Sequence, residues 1–229
     1  MTDVDVAIIG GGCIGLAIAS ALKDDCRRVM VIERDNLGRE STHAAGGMLA
    51  PIMELEFEEF DMLELGVRSL RLCEDFATRL SSSVGMDLDY RRNGTLFVAL
   101  QPRQLSDLER LYEYQRRIGL QAEKLTASRL KDKEPLLADN VRAGIFVESE
   151  EKIDNRKFSA ALAFECRQKG VELHTNDPLV QIEYAEDGKI ELLRTLLLEI
   201  RPKQVVIAAG AWSGMLPGLK PEDSMPLRA

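Results

Sequence analysis

Apolar and polar positions along the chain follow two periods. Residues 4–9 carry Val4, Val6, Ile8 and Ile9, a largely apolar, β-branched run that predicts a strand buried on both faces. A helix of small residues is predicted over 14–23 and a second strand over 28–32, so 4–33 reads as one β-α-β unit. Helical spacing returns over 54–83, where Phe60, Leu63, Val67, Leu70, Ala77 and Leu80 make one apolar face that Cys73 and Phe76 widen. It returns over 102–117, with Leu105, Leu108, Leu111, Tyr112 and Ile118 on one side, and Pro135 closes a short helix over 126–134. Strand-like runs at 142–148 and 171–174 flank a helix that Asp154 caps and Gly170 ends, with Phe158, Ala161, Leu162 and Glu165 at helical spacing. Two turn signals predict hairpins. Asn93-Gly94 splits 89–100 into two strands, and Asp187-Gly188 turns a strand at 178–182 back through 190–200. A last run, 204–213, predicts a buried strand ending in small residues. The pattern is α/β, with an α+β stretch from about 86 to 148 inserted into it.

Candidate chemistry gathers where the first strand stops. Gly10-Gly11-Gly12-Cys13-Ile14-Gly15 fits GxGxxG with Gly10, Gly12 and Gly15 in the marked places. In such a unit Gly10 permits the sharp turn, Gly12 lets the backbone approach a pyrophosphate, and Gly15 lets helix and strand pack closely. The pyrophosphate sits on the helix N-terminus, where unpaired N–H groups and the positive end of the dipole meet it. Glu33 falls where a carboxylate accepts hydrogen bonds from an adenosine ribose with both hydroxyls unphosphorylated. A glycine-rich turn can be plain structure, but here strand, helix and acidic residue agree on a dinucleotide site. Motif logic alone leaves FAD and NAD both open. The stretch 34–51 is dominated by small residues and hydroxyls, so its backbone can run close to a flat, polar ligand; Ser41 and Thr42 can cap a helix or meet phosphate oxygens.

The 229 residues, 45% hydrophobic and 30% charged, suit one or two packed domains. A net charge of -8 without any basic block argues against nucleic acid and anionic membranes as partners. Cys13, Cys26, Cys73 and Cys166 are scattered, and His43 and His174 are the only histidines, which argues against zinc and for a reducing compartment. Asp3 and Asp5 stand where a signal peptide has basic residues, so a cytoplasmic protein is expected.

The runs IIGGGCIGLAIA, VIER and STHAAGGMLAP resemble the D-amino-acid oxidase family of FAD-dependent amine oxidoreductases, and within it the glycine oxidases of thiamine biosynthesis. The resemblance implies FAD, and a Rossmann-like FAD-binding domain (1–85 and 150–229) with an inserted α+β substrate domain (86–149). It implies Ile14 at the phosphate turn, Arg34 beside the adenosine, and Ser41 and Thr42 near the pyrophosphate. Ala45, Gly46, Gly47 and Met48 lie along the flavin, Val180 meets the adenine through its backbone, and Ala209 and Gly210 return to the pyrophosphate. Trp212, in that last segment, is counted with the cofactor-binding residues, its ring reading as packing rather than chemistry. The implied reaction oxidises a small amine such as glycine or sarcosine to an imine that water hydrolyses, with dioxygen reduced to peroxide. A homo-oligomer is expected. The family pattern continues past Ala229 with a substrate-binding arginine, so no catalytic residue is assigned, and this chain alone is expected to be inactive. A non-catalytic FAD-binding fragment or subunit is the other reading. Asn155 stands where the family commonly has proline and reads as a harmless change. His43-Ala44-Ala45-Gly46 matches a run in dimethylglycine and sarcosine dehydrogenases whose histidine is bonded to the flavin; the simpler reading is a loop imidazole hydrogen-bonded to backbone.

Overall fold

The expected β-α-β unit forms, and a six-stranded sheet is built around it. A computed structural model of the chain describes residues 1–23, 27–54 and 60–221. In chain order the first elements are β1 (Thr2–Ile9), α1 (Cys13–Lys23), β2 (Val29–Ile32), a four-residue α2 (Ser41–Ala44) and β3 (Met48–Leu49). Next come α3 (Phe60–Val84), β4 (Thr95–Ala99), α4 (Pro102–Arg117), β5 (Glu123–Thr126), α5 (Ala127–Lys133), β6 (Ala143–Val147) and β7 (Glu151–Lys152). The last are α6 (Asn155–Gln168), β8 (Glu172–His174), β9 (Leu179–Tyr184), β10 (Ile190–Thr195), β11 (Glu199–Ile207) and a 3-10 turn at Gly210–Met215. Among the described residues no helix is long and apolar enough to cross a membrane.

The chain divides into two compact units. The first comprises Met1–Gly46, Arg79–Leu88 and Asp154–Ala229, and holds a sheet in the order β8-β2-β1-β11-β10-β9. β1 lies parallel between β2 and β11, so Ile8 pairs with Val31 on one side and Val206 on the other. That position explains the continuous apolar run: Val6, Ala7 and Ile8 are buried, as is all of β2. Val4, Ala7, Ile9, Met30 and Ile32 form a core with Ile182, Leu193 and Ile200. The Asp187-Gly188 hairpin forms as expected, with Ala185 N–H donating to Lys189 O at 2.9 Å. The return differs. The chain turns again after Thr195, and β11 begins at Glu199. The strand expected to be buried at 204–213 is half-buried, because Val205, Ile207 and Ala209 lean on the core from its margin.

The second unit comprises Gly47–Thr78 and Asp89–Ile153, boundaries unlike the expected 86–149. Residues 47–54 join it because Ala50, Ile52 and Met53 pack with Ala99, Leu108, Ile145 and Val147, while β3 pairs with β7. Its three-stranded sheet runs β4-β6-β5, antiparallel throughout. The hairpin expected at Asn93-Gly94 does not form. Arg91 instead pairs with Lys152, and Gly94, at φ 73°, passes the chain on to β6 while its N–H donates to Glu150 O at 3.0 Å. The positive φ that makes Asn-Gly a hairpin signal serves here to change partner strands. Glu150 is fully buried and accepts the Ile52 and Met53 N–H groups at 2.8 Å each; burial holds its pKa above the usual carboxylate range despite those bonds.

The helices follow their sequence signals. Gln101 and Gln104 form a capping box for α4, Thr126 caps α5, and Asp154 caps α6 by accepting from Arg156 and Lys157 N–H at 3.0 Å. The part of the 54–83 helix expected at 55–59 lies outside the described residues. Phe60, expected in its core stripe, is exposed, with its ring 6.3 Å from that of Tyr114.

Glu165, one of the residues at helical spacing in α6, is a buried carboxylate joining three helices. It accepts Ser20 Oγ at 2.5 Å from α1, Arg79 Nη1 at 2.6 Å and Ser83 Oγ at 3.1 Å from α3. Burial works to raise its pKa, but the Ser20 and Arg79 bonds outweigh it and hold the group below its ordinary value. A depressed pKa contributes stability that is present above the unfolded value, about 4.3, and is lost as pH falls through the folded one. Glu165→Gln is therefore expected to cost about 2 kcal/mol in urea unfolding at neutral pH. The gap from the unsubstituted protein should narrow once pH drops below about 4. A gap that stays constant into that range contradicts the assignment.

Candidate functional site

The tip of β1 is held between its two neighbours. Gly10 N–H donates to Ile32 O at 2.9 Å, and Ala208 N–H donates to Ile9 O at 2.8 Å. Gly10 turns away at φ 111°, where a Cβ would overlap the Ala208 carbonyl oxygen. Gly15, in the first turn of α1, lies so close that a Cβ there would overlap the Gly10 carbonyl oxygen. The helix N-terminus is thereby seated on the turn, with Ile14 exposed beside it. A Cβ on Gly12 would stand 3.2 Å from Thr42 Oγ1, so glycine keeps that approach open to a ligand.

Gly11, an unmarked position of the motif, carries a role the sequence did not reveal. Its N–H donates to Glu33 Oε2 at 2.8 Å, while Asp35 N–H donates to Oε1 at 2.9 Å. Main-chain donors thus orient the Glu33 carboxylate, and each oxygen keeps lone-pair capacity for a hydroxyl. A phosphorylated ribose would bring two negative charges together there.

The loop after β2 closes over this turn. Gly38 N–H donates to Gly11 O at 2.9 Å, and Thr42 Oγ1 accepts Cys13 N–H at 3.2 Å, capping the start of α1. Ser41 is exposed at the start of α2. His43 is half-buried; its N–H donates to Glu40 O at 3.0 Å and its carbonyl accepts from Asn155 Nδ2 at 3.2 Å. Ala45 and Gly46 are exposed, and a Cβ on Gly46 would meet nothing within 4 Å. Gly47 and Met48 begin the second unit, where Gly47 O accepts Ile153 N–H and Met48 pairs with Lys152.

Arg34 and Trp212 come together. The guanidinium carbon lies 4.2 Å from the indole centroid, and Arg34 also pairs with Glu40 at 3.0 Å. Trp212 is 42% exposed, so the packing role expected for it is corrected: the ring is a surface platform under a cation. The main-chain N–H of Trp212 donates to Ala209 O at 3.0 Å, and Gly210, at φ 54°, opens the turn between them. Val180 is exposed on β9, and the chain leading to it is tied to the end of β2. Asn176 N–H donates to Asp35 O at 2.9 Å, and Asp177 N–H to Glu33 O at 3.1 Å. Asp177 is buried and accepts Thr195 Oγ1 at 2.7 Å and Leu197 N–H at 3.0 Å. Sequence reasoning missed it, although Asn-Asp-Pro ahead of a strand is a turn signal. Among the described residues no group of three His, Cys, Asp or Glu side chains could hold a metal ion.

Residues 5–229 match the model of the FAD dependent oxidoreductase family, and the chain belongs to it. It is similar to the glycine oxidase of Geobacillus kaustophilus strain HTA426, 30% identical over 213 residues that make up 93% of this chain and 56% of that protein. It is also similar to the glycine oxidase of Bacillus subtilis strain 168, 26% identical over 217 residues, 92% of this chain and 55% of that one. The crystal structure of glycine oxidase from Geobacillus kaustophilus matches with a TM-score of 0.88 at 29% identity, covering 94% of this chain and 58% of the other. The chain thus spans about half the length of the curated relatives it matches. The family, the mixed α/β fold and the FAD cofactor expected from the sequence all hold. The site's own features fit that cofactor: a glycine cradle that any Cβ would narrow, a helix N-terminus facing it, and a preset carboxylate acceptor.

The glycine geometry separates two substitutions. Gly15→Ala pushes α1 off the β1 turn and is expected to cost about 1–3 kcal/mol. Gly46→Ala points into open space and should stay within about 0.5 kcal/mol of the parent in urea unfolding. Equal effects from the two would contradict the described packing.

Proposed function

We propose that this chain is the FAD-binding part of an amine oxidoreductase acting on a small amino acid or amine of the glycine or sarcosine type. Dioxygen is the proposed final acceptor and peroxide its product. The observation that carries the reading is the Gly10–Gly15 turn locked to a preset Glu33. The similarity to glycine oxidases supports the substrate class. FAD, when bound, supplies reversible acceptance of an electron pair. The chain's residues bind and orient it. Gly10, Gly12, Ile14 and Gly15 present the helix N-terminus to the pyrophosphate, joined by Ser41, Thr42 and the returning Ala209 and Gly210. Glu33 takes the ribose hydroxyls. Arg34, Trp212 and the backbone at Val180 frame the adenine. By the family resemblance His43, Ala45, Gly46, Gly47 and Met48 follow the ring system, Ala45, Gly46 and Gly47 with little or no side chain. In this reading the first unit serves the cofactor and the second begins the substrate domain.

The test is equilibrium titration of the full chain with FAD and with NADPH, followed by flavin fluorescence and absorbance. FAD is expected to bind and NADPH not, and Glu33→Ala should weaken FAD by about tenfold, as loss of a charged hydrogen-bond acceptor does. The bound flavin is expected to pass entirely into the supernatant on acid precipitation, in line with the simpler reading of His43 as a loop imidazole. A tight NADPH complex without flavin overturns the proposal, and yellow colour kept in the pellet assigns His43 the covalent role instead.

A further inference from the structure

The proposed flavin site is shaped by a residue outside it. Asn155 opens α6, yet its side chain serves the loop rather than the helix. Nδ2 donates to two successive carbonyls, Thr42 O at 2.5 Å and His43 O at 3.2 Å. The capping of α6 is already done by Asp154, whose carboxylate accepts both Arg156 and Lys157 N–H. The loop needs an external hold. α2 has only four residues, its N-cap residue Glu40 sits at φ 54°, and no side chain caps it. What the hold sets is the Thr42 hydroxyl, which accepts Cys13 N–H at 3.2 Å and stands against the open Cα face of Gly12. The same helix meets the loop again at Gly38, where a Cβ would come within 2.7 Å of Ser159 Oγ.

We infer that Asn155 is a positioning residue for the cofactor, clamping the 42–43 backbone so that Thr42 faces the pyrophosphate turn; this rests on the FAD reading above. Proline, the residue the family resemblance leads one to expect at this position, has no side-chain donor and cannot make the clamp. The exchange is therefore not the harmless one expected from sequence.

Two substitutions separate this role from that of an ordinary helix start. A carboxylate in the first turn of a helix is favoured by the helix field, so a helix-start role predicts that Asn155→Asp leaves stability and FAD affinity unchanged or improved. A clamp predicts the reverse for the ligand, since a carboxylate cannot donate and would face two carbonyl oxygens. In FAD titrations of the full chain, Asn155→Ala is expected to raise the dissociation constant by about tenfold through loss of two hydrogen bonds. Asn155→Asp should raise it on the order of a hundredfold by adding repulsion, and should lower the urea midpoint of the ligand-free protein more than Asn155→Ala does, where a helix-start role predicts no loss of either. Unsubstituted protein that binds FAD while both variants bind it equally well overturns this inference alone. Unsubstituted protein that does not bind FAD overturns the proposed function itself. Should Asn155→Asp fail to fold, Asn155→Ala decides the matter by the same titration.

Discussion

The structure depends on one close approach of backbone to backbone: Gly15 of α1 against the carbonyl of Gly10 at the end of β1, with no room for a methyl group between them. The contact places a helix N-terminus directly on a strand tip. That tip is shared, because Gly10 is bonded to the end of β2 and Ile9 to Ala208 beyond β11. Three adjacent strand ends are thereby levelled at one edge, and the residues following each of them (Gly10, Glu33, Ala208) are brought together although the sequence separates them widely. Glu33 then bonds the turn itself through Gly11, so strand order, helix seat and acceptor group are parts of one arrangement.

α6 supports that arrangement from outside. Asp154 fixes where it starts, Asn155 and Ser159 meet the loop that closes over the turn, and Glu165 and Cys166 tie it to α1 through Ser20 and the Leu16 carbonyl. Apolar burial at Leu16, Ala19, Leu162 and Cys166 supplies the main attraction between the two helices. The polar contacts select their register. A buried carboxylate with three donors adds little net stability over a well-packed apolar pair, but it tolerates few alternative placements.

What the sequence made legible was local and periodic. The GxGxxG turn, the strand before it, the acidic residue after it and the caps at Asp154 and Thr126 each depend on residues near one another in the chain. Less legible was anything decided by a distant partner. Asn93-Gly94 signals a positive φ, but whether that φ closes a hairpin or shifts the chain from β7 to β6 depends on Lys152 and Glu150. Residues 47–54 are too short a run to show a period, so their core partners could not be read ahead. Trp212 has the composition of a core residue and the location of a platform, because Arg34 stacks on it across 178 positions of sequence. Asn155 belonged to the same class: its two bonds reach back more than a hundred residues.

The central claim is that a flavin dinucleotide is gripped where the three strand tips meet. Hydrogen exchange of the full chain, read amide by amide with and without FAD, tests it directly. Slowing should concentrate at residues 10–16, 33–35, 41–46 and 209–212, while the amides of Thr95–Ala99 in the second unit keep their rates. FAD that leaves residues 10–16 exchanging as before, or that protects only segments away from that turn, would contradict the account.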